Sequence, residues 1–146
     1  MNNLTDKESP CTPQEAMEAC KGKIHPSAIR GIQAFNQKQY FEAHEELEIA
    51  WRAEKGALRH VYRGILQIGL AYYHILRGNY RGAVKMFTYS RYWLSPFPDI
   101  CCGIQLGKLR QDALQSENTL LQLGEAKMSQ FPLELFKPVL MEQSEE

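Results

Sequence analysis

His44 and Glu48 stand one helical turn apart in the stretch Tyr40-Phe41-Glu42-Ala43-His44-Glu45-Glu46-Leu47-Glu48-Ile49-Ala50-Trp51-Arg52. The stretch lacks Gly and Pro, and Tyr40, Ala43, Leu47, Ala50 and Trp51 recur at the three-and-four spacing of one helix face. His44 falls on that apolar stripe, where a titratable group is costly unless a partner satisfies it. Arg63, Gln67 and His74 recur at spacings of four and seven in the most apolar part of the chain, so they share one helix face. If the two helices pack antiparallel, as a short connection implies, the two polar sets meet. His44, Glu45, Glu48, Arg63, Gln67 and His74 then form one internal cluster.

Three chemistries fit such a cluster. The first is a buried hydrogen-bond network that sets helix register: each His donates to a carboxylate, and Gln67 and Arg63 complete the satisfaction. The second is a metal centre. His44, Glu48 and His74 offer two imidazoles and a carboxylate, suited to zinc, iron or manganese, and leave a position for the water that hydrolytic metal chemistry needs. Against it, the chain has neither the paired Glu-x-x-His of ferritin-like di-iron bundles nor His-Glu-x-x-His. The third is a metal-free acid/base pocket with His44 tuned by Glu48. The network is the leading reading. No glycine loop cradles a phosphate, no serine sits in a nucleophile elbow, and His25 and His60 read as capping or surface residues.

The elements that would position these residues are helical. Thr12-Pro13 predicts a cap for a helix over 14–21 that Gly22 ends. Ile29, Ile32 and Phe35 mark one face of a helix over 27–38, and the central stretch predicts a helix over 40–55 that Gly56 stops. A helix over 58–77 is apolar nearly all round, which places it in the middle of its bundle, with Gly64 and Gly69 where neighbours come close. Asn79 predicts an N-cap for a helix over 80–94. Ser95-Pro96-Phe97-Pro98-Asp99 is a break, residues 100–103 carry no clear signal, and 105–124 reads as a last long helix.

A faint repeat at an offset of forty maps Ile32, Phe35, Tyr40, Ala43 and Leu47 onto Tyr72, Ile75, Tyr80, Ala83 and Phe87. Both halves read as helix, tight turn, helix, the logic of tetratricopeptide-type hairpins at a longer period. The expected fold class is therefore all-α: a compact bundle of about five or six helices, built from two helical hairpins and closed by the C-terminal helix. Tyr40, Tyr80, Trp51 and Asn79 are its expected structural residues. The expected organisation is a flexible tail over 1–13, the bundle over 14–130, and a tail over 131–146 that is partly draped on the bundle and disordered after Met141.

Seventeen Lys and Arg balance seventeen Asp and Glu in 146 residues, so net charge suggests no polyanionic partner. Locally, Arg52, Lys55, Arg59, Arg63, Arg77, Arg81, Lys85 and Arg91 face only Glu54 between positions 52 and 91, which suggests basic and acidic helices side by side. Arg77, Arg81, Lys85 and Arg91 with Tyr80, Tyr89 and Trp93 resemble the mixture that holds phosphates and stacks on bases. On a neutral chain a solvated face over core aromatics is the preferred reading, and nucleic acid is not the expected partner. Cys11, Cys20, Cys101 and Cys102 make no C-x-x-C or zinc spacing and read as reduced thiols. No secretory signal or membrane span is expected. The expected compartment is the cytoplasm, or the plastid stroma in a plastid-bearing organism.

Two blocks carry a family resemblance. Phe35-Asn36 followed by Tyr40-Phe41-Glu42-Ala43-His44-Glu45-x-Leu47-Glu48-x-x-Trp51 resembles the opening signature of the domain of unknown function 309 family. Gly64-Ile65-Leu66-Gln67-Ile68 through Tyr73-His74 to Arg77-Gly78-Asn79-Tyr80-Arg81-Gly82-Ala83 is similar to its second signature. The Gly103-Ile104 turn after a proline-rich loop also fits, and the likeness spans about residues 27–125. The family pattern matches at His44, Glu48, Trp51, Gln67, His74 and Asn79. It departs at Gln37 to Gln39, where a glycine-containing turn is usual, and at Cys101-Cys102, where a tyrosine is often seen. The resemblance implies a compact all-helical domain and no established activity. The leading functional expectation is a non-enzymatic binding or protein-interaction module, with a protein partner or self-association. The alternatives are a metal-dependent hydrolase using His44, Glu48 and His74, and RNA or polyanion binding through the basic fourth helix.

Overall fold

The computed structural model describes residues 9–142. Among them run α1 (Pro13–Ala19), α2 (Pro26–Asn36), α3 (Tyr40–Ala53), α4 (Leu58–Leu76), α5 (Tyr80–Leu94), strands β1 (Ile100–Cys101) and β2 (Ile104–Gln105), and α6 (Leu106–Leu123). Short 3-10 turns follow at Glu125–Gln130 and Leu133–Leu135. The fold is all-helical apart from one hairpin. Most of the expected N-terminal tail, and the last four residues, lie outside the described span.

Local chemistry starts the helices. Thr12 and Glu15 form a reciprocal capping box at α1, with Thr12 Oγ1 accepting from the Glu15 amide at 3.0 Å and Glu15 Oε1 from the Thr12 amide at 2.8 Å. His25 Nδ1 accepts from the Ser27 amide at 2.9 Å, so His25 caps α2. Asn79 Oδ1 accepts from the Gly82 amide at 2.9 Å and caps α5. Asn79→Ala is expected to cost about 1 kcal/mol, read as a lower urea midpoint; an unchanged midpoint would show that the cap contributes nothing.

The forty-residue repeat is a repeat of hydrogen bonds. At the end of α2, the Gln39 amide donates to Ala34 O at 2.9 Å and the Lys38 amide to Phe35 O at 2.9 Å. At the end of α4, the Asn79 amide donates to His74 O at 2.8 Å and the Gly78 amide to Ile75 O at 3.1 Å. Each is a Schellman ending, which requires a left-handed residue after the helix cap. Gly78 supplies it with φ 75°, and Lys38, forty positions earlier, is forced into it with φ 64°. The missing turn glycine is thus a lysine in a conformation that costs an L-residue about 1 kcal/mol. Lys38→Gly is expected to raise stability by about that amount, measured by thermal or urea unfolding. A loss of stability would contradict the strained turn.

Packing follows the hairpins: α2 lies on α3, α3 on α4, and α4 on α5, with α6 looser against α5. Gly64 and Gly69 are the close approaches expected of them, against Leu94 and Phe35 respectively. Gly31, not singled out by sequence, admits Leu47 in the same way. Phe35, Tyr40, Tyr72 and Phe136 form a central aromatic group, with Tyr72 and Phe136 stacked at 4.6 Å. Phe131, Phe136 and Val139 are buried on the bundle, and Asn36 brackets Val139 with two hydrogen bonds of 2.9 and 2.7 Å. Ile29, expected on the core face of α2, is 44% exposed; Ala28, Gly31, Ile32 and Phe35 form that face instead.

Residues 100–103 belong to the hairpin. Cys102 and Gly103 adopt φ 53° and 82°, the left-handed pair of a two-residue type I′ turn. The hairpin corrects the expectation of four reduced thiols, because Cys20 at the end of α1 is disulfide-bonded to Cys101, 81 positions away. Cys11 and Cys102 are free. The Cys102 thiol lies 3.1 Å from Gly22 O and 3.4 Å from Cys20 O. Burial pushes the pKa of both free thiols up, which leaves them poor nucleophiles at neutral pH. The cysteines therefore no longer argue for a reducing compartment. Among the described residues, no helix is long and apolar enough to cross a membrane.

Candidate binding face on helices α3 to α5

Helix α4 packs against α3 on one side and α5 on the other, while α3 and α5 make no comparable contact with each other. One face of α4 is therefore left between two walls. Three contacts identify it: the Arg63 guanidinium carbon lies 4.5 Å from the Trp51 ring centre and 4.2 Å from that of Trp93, and Phe41 meets Tyr73 at 6.0 Å. Helical periodicity then assigns the neighbours. His60, Arg63, Gln67, Leu70 and His74 run along the floor. His44, Glu48 and Trp51 form the α3 wall, and Met86, Tyr89 and Trp93 the α5 wall.

The sequence-predicted residues divide on this face. Helical periodicity assigns His44, Glu48, Arg63, Gln67 and His74 to it, but no hydrogen bond joins His44 or Glu48 to Gln67 or His74 among the described residues. Glu48 pairs with Arg52 of its own helix at 3.1 Å. His74 lies 3.4 Å from Asn79. Glu45 is exposed and outside the group. The expected internal network is thus a half-open row of polar groups without mutual bonds. Among the described residues no three His, Cys, Asp or Glu side chains are gathered as a metal ion requires, so His44, Glu48 and His74 make no ligand set.

Arg63 is the centre. Its guanidinium sits between two indoles, an arrangement worth about 0.5–2 kcal/mol per ring, and no carboxylate pairs with it among the described residues. Basic α4 and acidic α3 do pack side by side, but the α3 carboxylates bond elsewhere: Glu46 bonds Arg30 of α2, and Glu48 bonds Arg52. Trp93 is stacked on His60 at 5.2 Å and 13°. Sequence reading placed His60 at the surface because the ring that covers it lies 33 positions on, in another helix.

This face collects the molecule's polar debts. Six buried side-chain polar atoms lack a hydrogen-bond partner among the described residues, and five of them belong here: His44 Nδ1, Trp51 Nε1, His60 Nδ1, Gln67 Oε1 and Trp93 Nε1. Gln67 is only 7% exposed. Buried polar groups are nearly always satisfied, and ordered water is the ordinary partner where protein groups are not.

Burial lowers the pKa of His60, with Arg59 and Arg63 adding and Glu15 of α1 opposing; burial alone lowers that of His74. Both imidazoles are therefore neutral at pH 7. Because the unfolded chain binds these protons first, their contribution to stability is complete above about pH 6.5 and lost as pH falls through the depressed folded values. Unfolding free energy is expected to drop between pH 7.5 and 5.5, and less so in His60→Gln. An equal drop in the variant would contradict the burial of His60.

The basic residues Arg77, Arg81, Lys85 and Arg91 at and along α5 are all exposed. Arg91 bonds Glu117 of α6, Arg77 lies over Tyr73 at 5.5 Å, and Lys85 over Tyr89 at 5.8 Å. A separate apolar cleft of about 210 Å³ opens between α5 and α6, lined by Ile68, Phe87, Leu94 and Ala113. Its polar groups already satisfy one another: Arg91 bonds Glu117, Ser90 bonds Phe87 O, and Arg110 bonds Leu94 O and Asp99. It offers nothing unsatisfied with which to recognise a ligand.

No curated protein matches the chain in sequence. The family match that exists ends at Met86 within α5, short of the span to about 125 expected from sequence, so Trp93, the hairpin and α6 lie beyond it. It covers both sequence blocks and the floor of the face from Arg63 to His74: residues 28–86 match the family described as Domain of unknown function (DUF309), the family that those blocks resemble.

Proposed function

We propose that this protein is a non-enzymatic binding module whose α3–α5 face engages a protein partner around Arg63. The observation that carries the reading is a half-buried guanidinium, without a carboxylate partner among the described residues, whose carbon lies 4.5 and 4.2 Å from the Trp51 and Trp93 ring centres. Trp, Tyr, Met and Arg are the residues that anchor protein interfaces, and Trp51, Trp93, Tyr89, Met86 and Arg63 line this one. No nucleophile with an activating base stands on the face, and its imidazoles are not tied to a carboxylate as general bases usually are. The experiment is site-specific photo-crosslinking in cells, with a benzophenone amino acid in place of Tyr89 or, as control, of exposed Leu121 on α6. A discrete adduct formed from position 89, absent from position 121 and lost in Arg63→Ala, is the expected result. Adducts that ignore position and the Arg63 substitution would overturn the reading.

A further inference from the structure

We propose that the partner is a second copy of this chain, docked face to face so that the acidic α3 wall of each copy lies on the basic α5 wall of the other. The inference rests on the binding-module reading and names the occupant of the face. A charge asymmetry that one molecule leaves uncompensated carries it. No Asp or Glu occurs between Glu54 and Asp99, so α4 and α5 hold no acid, while α3 carries Glu42, Glu45, Glu46 and Glu48. Glu46 and Glu48 are paired with Arg30 and Arg52. Glu42 and Glu45 on α3, and Arg81 and Lys85 on α5, are exposed and have no ion-pair partner among the described residues.

The fold sets these free charges at one level. Trp51 and Phe41 meet Arg63 and Tyr73, while Trp93 and Phe87 meet Arg63 and Tyr72. Helices α3 and α5 therefore both run antiparallel to α4 and parallel to each other. Glu45 and Lys85 are equivalent positions of the forty-residue repeat, at the same distance from the starts of their helices. Phe41, Glu45 and Glu48 recur at three-and-four spacing on α3, and on α5 Arg81 and Lys85 continue the line of Tyr89, so both sets belong to the walls of one face. With α4 between them the axes of α3 and α5 stand about 15–20 Å apart, too far for Glu45 to reach Lys85 within one molecule.

A two-fold axis running along α4, between two such faces, brings these charges together. It lays α3 of one copy over α5 of the other, in parallel and at the same level. Glu45 then meets Lys85 and Glu42 meets Arg81, and symmetry makes each pair twice. Phe41, 47% exposed beside Glu45, is covered in the same seam. Seventeen basic and seventeen acidic residues leave no net charge to oppose the approach of a second copy. A nucleic acid would answer Arg81 and Lys85 but be repelled by Glu42 and Glu45, whereas a second copy answers both walls.

Sedimentation velocity over a range of concentrations tests the proposal. In one variant Glu42→Lys and Glu45→Lys reverse the α3 wall; in another Arg81→Glu and Lys85→Glu reverse the α5 wall. All four side chains are exposed, so the substitutions leave the core untouched. The wild type is expected to form a dimer of twice the 16.8 kDa chain mass. Each variant alone sets like charge against like in both seams, and its Kd is expected to rise about a hundredfold or more. Mixed in equal amounts, the two variants present opposite walls again and are expected to recover the dimer.

A wild type that stays monomeric up to about 1 mM overturns the proposal. So does a dimer that neither reversal weakens, or a mixture of the two variants that stays monomeric. Crosslinking from position 89 then decides separately whether the face binds another protein.

Discussion

Reduction of the Cys20–Cys101 disulfide is expected to lower the unfolding free energy by about 4 kcal/mol. The bond closes a loop of 81 positions, and opening it returns that loop's freedom to the unfolded chain. The loss is large against the 5–15 kcal/mol, in round terms about 10, that holds a domain of this size together. Helix α1 should respond first. It has seven residues, too short to persist alone, and buries only Ala16. It is tied down by the disulfide and by the Cys102 thiol, which donates to the carbonyls of Cys20 and Gly22. Urea unfolding with and without a dithiol reductant, and of Cys20→Ser, measures the effect. Cys20→Ser is cleaner than a change at Cys101, which is fully buried and would leave a cavity as well. A midpoint that moves by less than about 0.5 kcal/mol in free energy would contradict the stabilising bond.

Gly64→Ala is expected to cost about 2 kcal/mol net: about 3 from overpacking, less about 1 from the better helix propensity of alanine. A methyl group at Gly64 would stand 2.4 Å from Leu94 Cγ and 2.5 Å from Cδ2. Leu94 is 1% exposed, and relief requires its side chain to turn into the α5–α6 cleft that it lines or α5 to move away from α4. Trp93 is the next residue, so either shift disturbs its place beside Arg63. The variant should therefore be less stable and show altered tryptophan fluorescence in the folded state. Leu94→Ala alone removes a buried side chain at about 2–5 kcal/mol. In the double variant the new methyl group occupies part of the space vacated, so the two costs should sum to more than the pair shows. Strict additivity would mean that the two side chains do not meet.

The repeat and its departures show how far local patterns reach. Asn79 and Gly78 were readable because a cap and a turn are built from neighbouring residues. The missing turn glycine was also visible, but only the backbone showed that Lys38 takes the left-handed conformation in its place. Ile29 was misread because the spacing of Ile29, Ile32 and Phe35 fits a helix face in general, and burial depends on where α3 comes to lie. Residues 100–103 gave no signal because a strand of two residues has no period to detect.

The polar residues were a mixed case. Their types and spacing put His44 and Glu48 on one helix, and Arg63, Gln67 and His74 on the helix packed against it. Whether they would bond, gather a metal or stay open was not a property of spacing. Arg63 meets Trp51 and Trp93, and the second of these comes from α5, thirty positions away.

By itself, then, the amino-acid sequence determined the helices, their caps and turns, the paired hairpins, and which helix would be central, since all of these follow from propensity and apolar periodicity within a few turns of chain. Only the tertiary structure decided that Cys20 bonds Cys101, that His60 lies under Trp93, and that Arg63 is held between two tryptophans without an acid. Each of these is a contact between distant segments, and its energy depends on distance and burial, which no local pattern encodes.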